Sequence, residues 1–416
     1  MLKNISITFI YKVLNAILGF VNTILITQFL GATGKGIFTI FIANIGVSLL
    51  INNIIGGKSI VLLNNKIPTS NLLITSYVWV ILSSVITVFL LNKFSLTNSN
   101  YYTPLLIIST LYGLHNTHIM CFLGKQQTLL YNIQASLPTV FQFITSIILL
   151  YVFNNKNIIH FIEIQYYVYG LSFFISLIYI IPSISKPDKI TLKSIYYLWL
   201  IGFKSQFSNI IQFLNNRVLF YFVGYYLTKS DLGIYSVGVA LTEVILIMSN
   251  SISMVAYAKI ANTTNIEEIN NSIKPYIKLS FGITILGLIC LVICPNNIYS
   301  AVFGNEFNNL KQTILYLIPG TLGMSLYYVA SSYFNGIAKF KFNNLASIIC
   351  LSILIISGLL FIPNGNIFTT AIITSIAYLC MCGYVFILFA KAINLTFKDM
   401  MISKKDINHI LTLIKK

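Results

Sequence analysis

The chain contains a single arginine, Arg217, and it falls well inside an apolar run. Ionisable side chains are costly in hydrocarbon, so one found there is expected to pair, to face water or to serve a site. At 1.5 Å per residue, Arg217 lies ~13 Å and Glu243 ~16 Å from the same-side ends of two consecutive runs. The two can therefore meet, either as a structural ion pair or as a site that responds to a substrate or coupling ion. The chemistry on offer is anion recognition. A guanidinium holds phosphate through two parallel hydrogen bonds, whereas a lysine ammonium acts as a point charge. Lys12, ~10 Å into the first run, is a second cation for that role, although its stem is long enough to carry the ammonium back to the headgroups. Lys204 is better explained by such snorkelling.

Amides and hydroxyls accompany these charges at helical spacing. Thr8, Lys12, Asn15, Gly19 and Asn22 recur at steps of four and three, and Ser205, Ser208, Asn209, Gln212, Asn215 and Asn216 follow similar steps. Such steps hold each set to one helix face. Asn44, Ser48 and Asn52 form a third stripe; Ser236, Glu243, Asn250 and Ser253 form a fourth. Any one of these side chains reads equally well as polar glue between helices. Four stripes together favour a shared hydrophilic cavity.

Other candidate groups read as structural. His115 and His118, one turn apart, are expected to make inter-helix hydrogen bonds rather than to carry protons. His160 and Glu163, beside Tyr166 and Tyr167, read as an interfacial cluster. Pro138 and Pro319 sit inside apolar runs and should bend or loosen them. The six cysteines (Cys121, Cys290, Cys294, Cys350, Cys380 and Cys382) lie in apolar runs without partnering His or Asp, which reads as buried inert thiols. No paired carboxylates, Ser-His-Asp set, metal cluster or phosphate-cradling glycine loop stands out. No catalytic residue, metal or cofactor is therefore expected.

The elements that must position these groups are transmembrane helices. Of the 416 residues 57% are hydrophobic and 8% charged, against about 25% charged in soluble proteins. Too few charges remain to solvate a surface, so lipid must cover most of it. Apolar runs of ~20 residues cross a bilayer core, and about twelve are present, at roughly 5–30, 37–56, 71–92, 102–123, 128–153, 159–182, 199–226, 232–258, 277–297, 312–335, 342–362 and 366–392. The first run is too long for a signal-peptide core and reads as a retained helix. The net charge of +17 reflects lysines in membrane-flanking loops rather than a nucleic-acid surface. Assigning alternate loops to opposite sides divides the 25 lysines 20 to 5, which places both termini in the cytoplasm.

The 183–198 connector, with Lys186, Pro187, Asp188, Lys189 and Lys193, falls at the midpoint and separates two six-helix halves. Residues 1–190 form the expected N-terminal lobe and 191–392 the C-terminal lobe. The tail 393–416, with lysines among apolar residues, suits a helix lying on the cytoplasmic leaflet. The halves carry a repeat. FLGATGKGIFT (Phe29–Thr39) matches YLTKSDLGIYS (Tyr226–Ser236) at an offset of 197, pairing Leu30 with Leu227, Gly36 with Gly233 and Ile37 with Ile234. Each copy joins the first and second helix of its half, and both halves start inside, so the repeat is parallel. Parallel repeats about an axis along the membrane normal are a transporter plan. The expected fold is thus an all-α integral membrane protein of about twelve helices in two lobes related by a parallel pseudo-twofold.

These segments resemble the multidrug/oligosaccharidyl-lipid/polysaccharide exporter superfamily, and within it the Wzx-type polysaccharide (O-antigen or capsule repeat-unit) flippases. The resemblance rests on FLGATGKGIFT, on LNNRVLFYFVGYYLTKSDLGIYSVG (Leu214–Gly238), on AVFGNEF (Ala301–Phe307) and on SSYFNGIAKFKFNN (Ser331–Asn344), in this order along the whole chain. Family members often carry Asp-Arg where this chain has Asn216-Arg217, so a carboxylate is missing here. The resemblance implies a bacterial inner-membrane protein that moves a polyprenyl-pyrophosphate-linked oligosaccharide to the outer leaflet by alternating access, beside polysaccharide assembly proteins. Arg217 and Lys12 would bind the pyrophosphate. Asn15, Gln212 and Asn216 would meet sugar hydroxyls, and Glu243 would serve coupling. The rivals are a drug exporter of the same superfamily, which calls for buried carboxylates to hold cationic cargo, and a lipid II flippase, which usually has helices beyond twelve. From another class comes a membrane glycan polymerase, which generally needs a larger outer loop.

Overall fold

Gly31 interrupts what is otherwise one 55-residue helix, with φ 66° and ψ −173°. Only glycine adopts such a conformation without strain, so the first expected connector is a sharp bend rather than a loop. The computed structural model describes residues 2–64, 66–153, 157–184, 186, 192–263 and 265–395. The expected tail beyond residue 395 and the centre of the 183–198 connector, with Pro187, Asp188 and Lys189, lie outside the described residues.

The helices are α1 (Leu2–Gly56), α2 (Lys58–Leu63), α3 (Thr69–Lys93), α4 (Tyr102–Gly124), α5 (Thr128–Ile148), α6 (Ile158–Ile180), α7 (Leu192–Tyr226), α8 (Lys229–Ala261), α9 (Ile266–Ile293), α10 (Asn296–Phe303), α11 (Leu310–Gly336), α12 (Lys341–Phe361) and α13 (Ile367–Ala392). No strand occurs among the described residues. Nine described stretches are long and apolar enough to span a bilayer. The first of them, Ile10–Leu63, contains two crossings because of the bend. Helices α5 and α7, of 21 and 35 residues, are long enough but too polar to count by composition. With them the chain has the expected twelve crossings in an all-α, multi-pass membrane fold.

Helix bounds differ from the apolar runs for a physical reason. Hydropathy reports what lipid covers, whereas helices continue into water. Helix α9 starts eleven residues before the apolar run, where Asn265 caps it by accepting from Glu267 N–H at 2.9 Å. The expected outer loop 298–311 is largely helical, as α10 and a short 3₁₀ turn at Asn305–Phe307. Of the six free cysteines, Cys121, Cys350 and Cys382 are buried, but Cys290 and Cys380 are exposed. Cys294 is half-buried, so these three correct the expectation that all six are enclosed.

Two compact units emerge. The first comprises Met1–Phe213, Thr228–Gly233 and Val302–Glu306. In it the helix that resumes after Gly31 borrows its cap. Glu306 Oε2 accepts from Ala32 N–H at 2.6 Å, and Gln28 Nε2 donates to Val302 O at 2.9 Å. The second repeat copy caps itself. Thr228 Oγ1 accepts from Asp231 N–H at 3.0 Å while Asp231 accepts from Thr228, a capping box. The repeat glycines owe their identity to close approach. A Cβ on Gly36 would lie 1.8 Å from Lys229 O, and one on Gly233 would lie 2.0 Å from Ala32 O. Polar glue joins the helices of this unit. Asn132 donates to Thr8, Asn15 to Ser136 and Asn22 to Thr139 O, so the stripe on α1 packs on α5. Buried Asn52 donates to Ser84 and Ser109 O and accepts from Ser83. Helix–helix bonds thus hold Thr8, Asn15 and Asn22 of the first stripe and Asn52 of the third.

The second unit comprises Leu214–Leu227, Ile234–Ala301 and Phe307–Lys416. Here Asn215 donates to Ser347 O at 3.1 Å, fixing α7 to α12. Ser249 bonds Thr284, and Ser280 donates to Ser325 O, tying α9 to α8 and α11.

Candidate functional site

Arg217 is placed by α7, which is anchored to α12 two residues earlier, at Asn215. That anchor turns Arg217 and Asn216 toward α8. Arg217 Nη1 lies 3.3 Å from Glu243 Oε1, and Nη2 donates to Oε2 at 3.4 Å. Two parallel contacts of this kind match the guanidinium fork to the carboxylate. The guanidinium also lies over the Phe220 ring, 5.0 Å from its centroid, a cation–π contact. Phe220 meets Tyr235 edge-on, and Tyr235 bonds Thr374 on α13 at 2.6 Å. A chain of contacts therefore holds the arginine from behind.

In front of the pair is a cavity of about 250 Å³, lined from α7 by Asn216 and Arg217, from α8 by Thr242, Glu243 and Asn250, from α11 by Thr321, Met324 and Tyr328, and from α13 by Thr374 and Tyr378. The side chains of Arg217 and Glu243 are 31% and 41% exposed, so the pair is open to a ligand. Thr242 and Thr321 donate their hydroxyl protons back into their own helices, to Val239 O and Leu317 O. What they present to the cavity is lone pairs. Asn216, Tyr328 and Tyr378 have no protein hydrogen-bond partner among the described residues. The wall thus offers one cation, one anion and a set of neutral donors and acceptors.

Helix α11 opens onto this cavity at Pro319. Proline provides no N–H and loosens the helix around it. At the adjoining position Ser375 Oγ donates to Tyr316 O at 2.5 Å and accepts from Gly320 N–H at 3.2 Å. A side chain inserted between backbone groups one turn apart is a recognised cause of bending. It places Leu317 and Thr321, on either side of the irregularity, against the cavity.

The residues read from the sequence divide between the units. Asn216, Arg217 and Glu243 come together on the cavity. Gln212 lies one turn back from Asn216 on the same face of α7, exposed. Lys12 is exposed on α1 with no partner among the described residues, and Asn15 bonds Ser136. The lining from α11 and α13 escapes the sequence reading. Its signal is the spacing of Thr321, Met324 and Tyr328 at three and four, and of Thr374 and Tyr378 at four. Tyrosines in an apolar helix resemble core, which hides it. His115 and His118 make the inter-helix bonds expected of them. His160 and Glu163 are exposed. Among the described residues no group of His, Cys, Asp and Glu is arranged to hold a metal.

No protein-family model matches the sequence, and no curated protein matches it. Solved structures do match in fold. A structure described as the lipid II flippase MurJ in an inward closed conformation aligns with a TM-score of 0.73 at 15% identity, covering 94% of this chain and 88% of that one. An inward-facing multidrug resistance MATE family transporter of the MOP superfamily aligns with a TM-score of 0.61 at 11% identity, covering 91% and 94%. A point mutant of the Vibrio cholerae MATE transporter VcmN aligns with a TM-score of 0.59 at 13% identity, covering 96% and 100%. The chain shares the fold of these membrane transporters.

Proposed function

We propose that the protein is a flippase that carries a polyprenyl-pyrophosphate-linked oligosaccharide repeat unit from the cytoplasmic to the outer leaflet of a bacterial plasma membrane by alternating access. The observation that carries this reading is Arg217, held by Glu243 yet partly open, on a cavity whose other lining mixes neutral amides and hydroxyls with apolar side chains such as Leu246 and Met324. A pyrophosphate can take the place of the Glu243 carboxylate on the guanidinium, anion for anion, while Asn216, Asn250 and the tyrosines meet sugar hydroxyls. Gln212 and Lys12, exposed in the first unit, are further candidate cargo contacts in this reading, and Asn15 would have to leave Ser136 to become one. Glu243, once released, is the residue that would take up a coupling ion. A cationic drug would instead have to displace Arg217 from the cavity's one carboxylate, which disfavours the exporter reading. The cargo is moved rather than transformed, and handed to polysaccharide assembly proteins. In this reading residues 1–190 and 191–392 act as the two functional lobes, with 393–416 on the cytoplasmic leaflet.

Deleting the gene in its source cells tests this. Polyprenyl-pyrophosphate glycans are extracted and their leaflet is read with an impermeant probe. Complete single repeat units, accumulated and protected on the cytoplasmic side, are expected. The same units accessible from outside would indicate a polymerase, and no accumulation would indicate an exporter of small molecules.

A further inference from the structure

Pro138 leaves a carbonyl without its helical partner. A backbone N–H at position 138 would bond the carbonyl of Gln134, and proline has none. His115 fills the gap: its Nε2 lies 3.2 Å from Gln134 O. A carbonyl only accepts, so Nε2 carries a proton, and in a neutral ring Nδ1 is then an acceptor. Nδ1 faces Ser176 Oγ at 3.0 Å. The same hydroxyl is 2.7 Å from His118 Nδ1, and His118 Nε2 meets Tyr77 OH. The neutral network therefore runs one way, from Tyr77 O–H to His118 Nε2, from His118 Nδ1–H to Ser176 Oγ, and from Ser176 O–H to His115 Nδ1.

A second complete set of bonds exists at the same heavy-atom positions. Ser176 Oγ is also 2.8 Å from Phe173 O. If its proton turns to that carbonyl, the oxygen can accept from both imidazoles. His115 then has N–H on both nitrogens and carries one positive charge, and every group is still paired. We propose that His115, His118 and Ser176 form a one-proton site, in which a proton from solvent adds to His115 Nδ1 while the Ser176 hydroxyl turns to Phe173 O. No heavy atom has to move.

The surroundings define what the site must work with. Both imidazoles are fully buried, so an arriving charge has to be met by bonds already in place. Among the described residues no carboxylate lies within ion-pair distance of either ring. Tyr77 on α3 is the titratable group in contact. On α4, Cys121 lies a turn beyond His118, and Lys125 donates its ammonium to Ser183 O. Helix α6 presents Phe173, stacked on His118 at 5.5 Å. Helix α1 reaches α4 through Asn52 and Asn53, and Lys58 on α2 is exposed. A compensating dipole is at hand on α5. The Gln134 side chain is buried, and neither its Nε2 nor its Oε1 has a partner.

The test is nitrogen NMR on full-length, histidine-labelled protein in lipid nanodiscs, with His160→Gln and His409→Gln removing the other two imidazoles. At neutral pH the two rings are expected to be opposite tautomers, Nε2–H at His115 and Nδ1–H at His118. As the pH is lowered, His115 should become doubly protonated while His118 stays neutral. Ser176→Ala should abolish that uptake while His115 keeps its Nε2–H. Identical tautomers, two neutral rings down to the acid limit, or charging of His118 first would each overturn the proposal. The tautomer result comes from the chain with Ser176 intact, so it stands even if the alanine variant does not fold.

Discussion

Arg217 and Glu243 are bound to one another in the structure, and under the proposed function this shapes what each substitution should do. Arg217→Ala removes a charge-assisted contact worth about 1.5–3 kcal/mol, so leaflet exchange in reconstituted vesicles should fall at least ~10-fold with insertion retained. Arg217→Lys keeps the charge but loses the fork and should fall in between. Full activity with alanine would rule out anion binding at this site. Glu243→Gln should leave transport insensitive to pH and sodium; unchanged dependence on both would remove its coupling role. The meeting of these two residues was legible because helical rise converts position into depth. Tyr328 and Tyr378 were not, because a phenol in an apolar helix looks the same whether it faces core or cavity. The amides on α1 were legible as polar but not as to use. Asn15 and Asn22 found Ser136 and Thr139 on α5, a neighbour that single-helix periodicity cannot name.

At the scale of elements, the bends matter more than the helices. Gly31, Pro138 and Pro319 each disturb the backbone ladder, and a side chain from elsewhere bonds at or beside each break: Glu306, His115 and Ser375. Sequence marks the prolines but not their partners, which lie tens or hundreds of residues away. Gly31 was hidden altogether, since a glycine does not announce a positive φ. The borrowed cap makes a prediction. Glu306→Ala should cost about 0.5–1 kcal/mol, read as an earlier midpoint on chemical unfolding in detergent. Glu306→Gln, which keeps an acceptor oxygen, should recover much of it. Equal loss in both variants would mean that the negative charge at the helix N-terminus, rather than the hydrogen bond, stabilises the bend.

For the molecule as a whole, the count of crossings is legible in the apolar runs even though two helices are too polar to be recognised by composition alone. From the lysine asymmetry we propose that both termini face the cytoplasm. Reporter fusions that are active only outside the cytoplasm should be silent at either terminus and active after residues 93 and 229; activity at a terminus would invert the assignment. The two repeat copies give the fold one more property. Gly36 and Gly233 occupy matching positions, and each is kept bare by the backbone of the other copy. Between separate subunits a surface that docks against its own duplicate would be called isologous, the hallmark of a symmetric dimer. Here one polypeptide supplies both faces. Neither glycine is therefore free to drift while the other stays, since a side chain at either position collides with its twin's neighbourhood.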